Sequence, residues 1–426
     1  MKSKLSKLSS AFKWIPTLYF AEGLPYVAVN SVAVIMYTNL GLSNARMTLY
    51  TSLLSIPWII KPLWSPLVDL LGTRRFWILS MQWLIAVCFA LIAFAIPATF
   101  FVRATFVFLM LTAFSSATHD IAADGFYMLA LNTEQQSFFV GIRNTFFRLA
   151  NIFGQGILVM IAGLLHEGKI FPKLKGEVAT SWSAVFMALT AVFSLIALYH
   201  TLVLPKPTSD KKNISVGLKQ LFADFIQTFI SFFKKEHIWL ILFFLLTYRL
   251  GEAQLGKLAS PFLLDKVENG GLAVSTSTVG LIYGTLGVIA LLCGGILGGI
   301  AIAGRGLKFW LIPMVLMLNI PDILYVVLAF WQPPVWFVSP FVIIEQFGYG
   351  FGFTAYMLFL IFICKKSNFK TAHYAIGTAI MALSMAIPGS VAGWIQQQAG
   401  YLWFFVWVCL CTIPSFFATI LVRRKL

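Results

Sequence analysis

Residues 104–131 read ATFVFLMLTAFSSATHDIAADGFYMLAL, an apolar run with two aspartates in its second half. A helix of this length and hydrophobicity can span a bilayer, where a carboxylate costs several kcal/mol unless it faces a bundle interior or water. Asp120 and Asp124 are four residues apart, so both project from one face of the helix. The pair predicts a polar path for a proton or a solute, or a structural pair neutralised by Arg or Lys of a neighbouring helix. Both interpretations can hold together.

The composition places the whole chain among integral membrane proteins. It is 59% hydrophobic and 11% charged over 426 residues, whereas soluble domains carry about 25% charged residues. The net charge of +16 is distributed as membrane topology requires, so we expect a lipid bilayer and no nucleic acid as partner. Residues 1–13 are basic and polar and the next apolar segment is long enough to span, which predicts no cleavable signal peptide. The five cysteines lack metal-ligand spacing, and we expect neither metal nor cofactor.

Twelve segments satisfy the requirement of about 20 largely apolar residues for a membrane-spanning helix. Their limits are 14–38, 47–70, 77–98, 104–131, 136–165, 182–204, 237–260, 275–303, 309–330, 335–364, 372–396 and 400–422. The longest polar-rich stretch lies between the sixth and the seventh, and it includes an amphipathic patch at helical spacing (Leu218, Leu221, Phe222, Phe225, Ile226). We therefore predict an all-α membrane protein with a six-helix bundle at 1–205, a cytoplasmic linker at 206–235 and a second six-helix bundle at 236–426.

The lysines and arginines orient this arrangement. With the N-terminus in the cytoplasm, 20 of the 31 basic residues fall in cytoplasmic segments, six in outside loops and five within predicted helices. Short cytoplasmic loops are enriched in Lys and Arg. Both termini are therefore predicted to be cytoplasmic.

The loop after the second predicted helix contains Asp69, Arg74 and Arg75, and the loop after the eighth repeats its Gly-Arg part at 304–305 without the acid. The first loop resembles the short Asp/Gly/Arg-rich cytoplasmic loop of the major facilitator superfamily, where the acid helps to latch neighbouring helices. We assign the three residues to conformational gating. Ordinary positive-inside charge explains the two arginines equally well, but it does not explain Asp69.

Eleven charged residues lie at predicted membrane depth. The acids are Glu22, Asp120, Asp124, Glu252, Asp322 and Glu345, and the bases are Lys61, Arg143, Arg148, Arg249 and Lys257. Asp322 follows Pro321, which favours a helix break or an interfacial position. Arg148 and Arg249 come from different halves, and the planar guanidinium suits both to hold a carboxylate or phosphate with two hydrogen bonds.

Carboxylates near a changing positive charge can release and rebind protons, which makes Asp120, Asp124, Glu252 and Glu22 the candidates for proton coupling. The candidate substrate-binding residues are Lys61, Trp64, Arg148, Tyr248, Arg249 and Glu345. Aromatic side chains such as Trp64 and Tyr248 can stack on sugar faces, although helix packing explains any single one of them better.

No enzyme signature competes with this interpretation. The glycine-rich run 294–299 is typical of close helix packing rather than of a phosphate loop. A membrane-embedded acyltransferase using His119 beside Asp120 is a remote alternative.

Several short stretches together resemble the AmpG-like muropeptide permeases of the major facilitator superfamily over nearly the whole chain. In the first half they are Gly23-Leu24-Pro25, Lys61-Pro62-Leu63-Trp64-Ser65-Pro66-Leu67-Val68-Asp69, Asp120-Ile121-Ala122-Ala123-Asp124 and Phe147-Arg148-Leu149. In the second half they are Tyr248-Arg249-Leu250-Gly251-Glu252, Thr285-Leu286-Gly287, Ile344-Glu345 and Val391-Ala392-Gly393-Trp394. The ordered set is specific, whereas any single member is weak.

The resemblance implies a proton-driven importer of cell-wall fragments that works by alternating access as a monomer in the bacterial inner membrane. The expected substrate is an anionic amino sugar, N-acetylglucosaminyl-1,6-anhydro-N-acetylmuramic acid with or without its stem peptide, whose carboxylates suit Arg148, Arg249 and Lys61. Another anionic solute, such as an acyl-CoA or a sugar, is the alternative.

The chain also departs from the family pattern. Arg249 and Glu252 stand where Lys and Asp are usual, and Phe147 and Ala150 stand where Tyr and Gly are usual. Glu22 and Lys257 add charges at positions expected to be small or neutral; they either pair with each other or retune recognition toward a smaller amino sugar or another anion.

Overall fold

The computed structural model describes residues 2–208, 210, 218–364 and 370–425, and every regular element within these ranges is a helix. Ten helical stretches of the described chain are long and apolar enough to cross a membrane. The all-α membrane fold is therefore confirmed. Two places account for the difference from the twelve predicted segments, and the count of twelve stays a prediction.

The first place is the predicted second span, which is a series of short helices. They are α3 (Asn44–Leu53), α4 (Ile56–Ile60), a 3₁₀ turn (Lys61–Leu63) and α5 (Ser65–Leu71). Pro57, Pro62 and Pro66 each occupy the second position of one of these pieces. Proline fits the first turn of a helix, where its missing N–H has no partner to lose, but it interrupts a helix interior. The three prolines therefore divide this segment.

The second place is the C-terminal stretch, where α19 (Lys370–Cys411) is followed by α20 (Ile413–Lys425). At about 1.5 Å per residue, the 42 residues of α19 are far longer than a bilayer core of about 30 Å. Gly400 interrupts the helix with φ 77° and ψ 167°, a conformation that favours glycine. The break lies between the two segments predicted at 372–396 and 400–422.

The chain divides into two compact units. The first comprises Met1–Ala33 and Ile60–Gly217. Its helices are α1 (Lys2–Val27), α5, α6 (Arg74–Ala95), α7 (Phe101–Ala130), α8 (Thr133–Asn151), α9 (Val159–His166) and α10 (Val178–Val203). The helix α1 packs on α7 and α8, and α6 packs between α7 and α10. Trp14 and Phe126 meet edge to face at 5.3 Å in the core of this unit.

The second unit comprises Val34–Ile59 and Leu218–Leu426. Besides α2 (Ala33–Asn39), α3, α4, α19 and α20, its helices are α11 (Leu218–Phe233), α12 (Ile238–Thr247), α13 (Leu250–Leu264), α14 (Thr276–Val279), α15 (Val288–Arg305), α16 (Leu307–Asn319), α17 (Ile323–Trp331) and α18 (Val335–Cys364). The main packing pairs are α13 with α19, α3 with α19, and α18 with both α15 and α16.

Close packing of α15 on α18 depends on glycine. A Cβ at Gly298 would lie 2.9 Å from the backbone oxygen of Phe351, and a Cβ at Gly294 would overlap the oxygen of Phe347. Small residues of this kind let two helix backbones approach closely. The interpretation of the run 294–299 as a helix-packing surface is confirmed.

Residues 34–59 belong to the second unit, although the sequence-based division counts them with the first bundle. Hydrogen bonds explain their position. Asn44 Nδ2, at the start of α3, donates to Tyr401 Oη (2.8 Å) and Gln396 Oε1 (2.9 Å), and Tyr401 Oη donates to Asp265 Oδ2 (2.5 Å). These bonds fasten the beginning of α3 to α19 and to the end of α13.

Candidate functional site

In the first unit, the aspartates of α7 have different partners. Asp124 Oδ1 lies 2.8 Å from Arg143 Nη2 of α8 and accepts a hydrogen bond from Tyr19 Oη at 3.2 Å. The Arg143 guanidinium lies over the rings of Tyr19 (4.4 Å) and Tyr127 (5.2 Å). Asp124 is therefore held by a cation that is itself held by two aromatic rings.

Asp120 has a looser cationic neighbour. Lys61 Nζ lies 3.8 Å from Asp120 Oδ2, beyond hydrogen-bond distance. The Asp120 side chain is only 13% exposed. Lys61 lies in the 3₁₀ turn between α4 and α5, so an interruption of the predicted second helix sets the position of this ammonium group.

Glu22 of α1 belongs to the same region. It is buried, and it lies within electrostatic range of Asp120, Asp124, Arg143 and Lys61. Its Oε2 has no hydrogen-bond partner among the described residues. The structure thus brings three predicted proton-coupling carboxylates together with two cations in one unit.

Two predicted substrate-binding residues lie near this cluster in sequence but have different surroundings. Trp64 Nε1 donates to Thr118 Oγ1 at 3.2 Å, and the indole packs on Phe114 with ring centroids 5.5 Å apart. Arg148 is half-buried on α8 and has no carboxylate partner within the described chain. Of the two α8 arginines, Arg143 neutralises Asp124 and Arg148 is left with its charge available.

A buried polar chain crosses the same unit. Thr17 Oγ1 lies 2.9 Å from His200 Nε2, His200 Nδ1 lies 3.0 Å from Gln82 Oε1, and Gln82 Nε2 lies 3.0 Å from His119 Nε2. These bonds connect α1, α10, α6 and α7. The Gln82 amide donates to His119 Nε2, so this nitrogen is the acceptor. The bond connects α6 to α7, and His119 has no nucleophile or carboxylate partner in the described chain.

In the second unit, three carboxylic acids are buried within electrostatic range of one another. They are Glu252 of α13, Asp322 of the 3₁₀ turn before α17 and Glu345 of α18, with exposed fractions of 4%, 1% and 1%. Gln346 Nε2 donates to Glu345 Oε2 at 3.0 Å, whereas neither oxygen of Asp322 has a partner among the described residues. The predicted helix break at Pro321 is present, and the Asp322 side chain that follows it is enclosed by packed helices.

The arginine of this unit is enclosed by aromatic rings. Arg249 is buried, its guanidinium lies 4.6 Å from the Phe353 ring centroid and 5.1 Å from that of Tyr349, and its Nη2 donates to Tyr349 Oη. It lies in the break between α12 and α13, one turn before Glu252. Glu252 interacts electrostatically with Arg249, and it also lies within range of Asp322 and Glu345.

Two other predicted residues of the second unit have structural partners. Tyr248 is fully buried and donates to the Gly352 oxygen at 2.9 Å, which packs α12 against α18 and leaves no face for a sugar. Lys257 Nζ donates to Thr51 Oγ1 at 3.3 Å. This bond connects α13 to α3, and it gives a structural partner to Lys257, for which the sequence indicated two alternative roles.

The predicted gating arginines lie at the start of α6. Asp210 accepts hydrogen bonds from the backbone N–H groups of Arg74 (2.8 Å) and Arg75 (3.0 Å), and Arg75 Nη2 donates to the Thr201 oxygen at 2.8 Å. A carboxylate at a helix N-terminus satisfies free N–H groups and complements the helix dipole. Arg75 thus joins α6 to the end of α10. The Asp69 side chain lies outside the described part of the chain.

Sequence reasoning missed four residues of these networks. Arg143 was counted as a buried base without a role, and Tyr19 and Asp210 were not singled out. For Asp322 the sequence favours a helix break or an interfacial position and does not indicate a buried cluster of acids. Arg143 and Asp322 both carry a signal in the sequence, because each is a charge within an apolar helix-length segment.

Helices long and apolar enough to span a membrane, together with charge networks between them, define a polytopic membrane protein. The model of the BT1 family matches residues 20–328. The chain belongs to the BT1 family.

Curated relatives and solved structures agree with this class. The chain is 25% identical over 414 residues to the anhydromuropeptide permease of Escherichia coli (strain K12), covering 96% of this chain and 79% of the relative. It is 24% identical over 417 residues to the putative transporter AmpG 4 of Rickettsia conorii, covering 96% and 95%.

Among solved structures, a bacterial homologue of the human lysosomal transporter Spinster, inward-facing and occupied, superposes with a TM-score of 0.72 at 17% identity over 99% of this chain and 97% of that one. The nucleoside transporter NupG superposes with a TM-score of 0.71 at 13% identity over 96% and 98%. The fold is that of the major facilitator transporters, and the chain is a membrane transporter of the AmpG-like permease type.

Proposed function

We propose that this protein imports anhydro-muropeptides or related amino-sugar cell-wall fragments by proton-coupled alternating access. The observation that carries the proposal is the relationship over nearly the whole chain to an anhydromuropeptide permease, combined with buried carboxylates in both units. We place it in the bacterial inner membrane, with both termini in the cytoplasm and the monomer as the working unit.

In the first unit we assign proton coupling to Asp120 and Glu22. An ionised carboxylate with little exposure needs a partner or a proton. The ion pair of Asp120 with Lys61, at 3.8 Å, is longer than that of Asp124 with Arg143, at 2.8 Å, so it is the weaker of the two. Asp124, bonded to Arg143 and Tyr19, serves mainly as the structural anchor of α7 on α8 and α1.

In the second unit we assign proton binding to Glu252, Asp322 and Glu345. The three acids are buried within electrostatic range of one another, Arg249 interacts with Glu252 among them, and like charges at close range cannot all ionise. At least one of the three therefore carries a proton. We therefore propose a proton-binding role for Glu345 in place of the substrate-binding role that the sequence suggested.

For substrate recognition we retain Lys61, Trp64, Arg148 and Arg249 and omit Tyr248. Arg148 has no described ion pair and is partly exposed, so its guanidinium group is available to bind a carboxylate of the solute. Trp64 presents an indole beside Lys61, a combination that suits a sugar carrying an acid group. Asp69, Arg74 and Arg75 keep their proposed gating role.

The deciding experiment is uptake into vesicles that contain the purified protein and carry an imposed pH gradient. Radiolabelled anhydro-muropeptide and anhydro-disaccharide should accumulate against their concentration gradients, and a protonophore should abolish the accumulation. The Glu268→Gln variant is a matched control, since Glu268 is exposed in a 3₁₀ turn outside the spans. Accumulation of acetyl-CoA instead of the two cell-wall fragments would replace the proposed substrate class with an acyl-CoA.

A further inference from the structure

The helix α11 ends at a membrane surface. Only residues 234–237 separate its last residue, Phe233, from Ile238, where the span Ile238–Leu264 begins. Four residues reach at most about 14 Å. His237 takes the left-handed conformation with φ 56°, which turns the chain from α11 into the span. The C-terminal turns of α11 therefore lie beside the bilayer.

One face of α11 is fixed to the protein. Ser231 Oγ lies 2.8 Å from His373 Nε2 in the first turn of α19, and Phe232 is fully buried with its ring 5.5 Å from that imidazole. Just beyond the helix, Lys235 Nζ donates to the Ile363 oxygen at 2.7 Å, at the end of α18. These contacts determine which side of α11 faces away from the protein.

The other side is an apolar stripe, formed by Ile226, Phe229, Ile230 and Phe233. Their exposed fractions are 54%, 44%, 48% and 38%. The spacing of three, four and seven residues places all four side chains on one face of the helix. Trp239, in the first turn of α12, is 81% exposed, so exposed aromatic surface continues from α11 into a span. Tryptophan is enriched where membrane-spanning helices meet the headgroup region.

The charge of the segment complements an anionic lipid surface. Residues 206–235 contain six lysines and two aspartates, and Lys234 is exposed directly after the stripe. A helix with an apolar face and lysines beside it lies in the plane of the membrane interface, and its binding strengthens with anionic lipid.

We propose that α11 is an interfacial helix, with its apolar stripe in the headgroup–acyl boundary and Lys234, directly after it, on anionic lipid headgroups. Because Ser231 of α11 is bonded to His373 and Lys235, just beyond the helix, is bonded to the Ile363 oxygen, binding of α11 to lipid positions the ends of α18 and α19. The proposal concerns a lipid contact of the membrane protein itself and does not depend on which solute is transported.

Amide hydrogen exchange of the full-length protein tests the proposal. Exchange is measured in detergent, in nanodiscs of phosphatidylcholine, and in nanodiscs of phosphatidylcholine and phosphatidylglycerol in equal parts. Amides at 226–233 should exchange several-fold more slowly in the anionic nanodiscs than in detergent, with neutral nanodiscs in between. Equal exchange in all three media would overturn the proposal.

Three variants separate lipid contact from folding. Phe229→Ser with Ile230→Ser should remove most of the protection of α11 by nanodiscs, whereas Gln227→Ser, at an exposed position off the stripe, should leave it unchanged. Lys234→Gln should lower the gain from phosphatidylglycerol by up to about fivefold, which corresponds to about 1 kcal/mol for a basic residue near an anionic surface. The amides of α6 serve as the internal reference for folded protein. Unchanged protection of α11 in the double variant, with α6 protected as in the parent protein, would contradict the membrane contact of the stripe.

Discussion

Arg143 Nη2 lies 2.8 Å from Asp124 Oδ1, whereas Lys61 Nζ stays 3.8 Å from Asp120 Oδ2. Two aspartates one helical turn apart are therefore unequal, one in a hydrogen-bonded ion pair with Arg143 and the other in a longer ion pair with Lys61. The side chains of Arg143 and Asp124 are 24% and 46% exposed. The pair thus has more access to polar surroundings than a fully buried pair, whose breakage would cost about 3–5 kcal/mol.

The Asp124→Asn variant should lose about 1 kcal/mol of stability, because a partly exposed pair contributes far less than an enclosed one. The combined Asp124→Asn and Arg143→Gln variant should be more stable than the sum of the single effects predicts, since no unpaired charge remains. Thermal unfolding in detergent measures all three variants. Strictly additive effects would show that the two side chains are not coupled.

The Asp120→Asn variant should lose gradient-driven uptake and keep substrate exchange across the membrane, because exchange needs no net proton movement. The Asp124→Asn variant is the matched comparison on the same helix face, and it should retain a larger fraction of gradient-driven uptake in the protein that folds. Both activities are measured in the same vesicles with the proposed substrate. Normal accumulation by Asp120→Asn would remove Asp120 from proton coupling.

The helical class and the shared face of the α7 aspartates could be predicted because both depend on local patterns. A long apolar run predicts a span, and a separation of four residues fixes a common face. The partner of Asp124 could not be predicted. Arg143 and Arg148 both lie on α8, and only the packing of α1 against α7 and α8, which brings Tyr19 to the pair, selects Arg143.

The surroundings of the acids in the second unit could not be predicted from the sequence either. Pro321 predicted the helix break correctly, but a break is compatible with a surface or an interior position. The interior position depends on Gly251, where a Cβ would lie 3.1 Å from Asp322 Oδ2. Gly251 and Asp322 are 71 positions apart in the chain. The pattern of apolar residues within either segment therefore does not predict their contact.

The Arg249→Lys variant should be more damaging than Arg148→Lys, the reverse of the order expected from the family pattern. The planar guanidinium of Arg249 stacks on Phe353 and Tyr349 and bonds to the phenol of Tyr349. A lysine ammonium at this position loses the stacking geometry, at a cost of about 0.5–2 kcal/mol. Detergent-stable yield and substrate affinity are compared for both variants. Equal, mild effects would contradict a special role of the guanidinium at either position.

Cysteine labelling tests the number and direction of the spans. Cysteines at Lys173, in the turn before α10, and at Gln398, beside the break at Gly400, should react with an impermeant reagent from outside. A cysteine at Arg424 should react only after the membrane is opened. All three positions are exposed. Labelling of Arg424 and Gln398 from the same side would exclude two crossings within residues 373–425 and with them the twelve-helix topology.

The Asp322→Asn variant should fold with normal yield and lose the pH dependence of uptake. Asp322 is 1% exposed and both its oxygens lack a described partner, so a proton on this carboxyl makes the amide a close mimic. If the carboxylate were instead ionised and paired with a cation, the amide would leave that cation uncompensated and lower the yield of folded protein. Initial uptake rates are measured across a pH series for Asp322→Asn, for Glu345→Gln and for the exposed control Glu268→Gln. A parent-like pH profile in both buried variants, with normal yield, would exclude proton binding by Asp322 and Glu345 from the transport cycle.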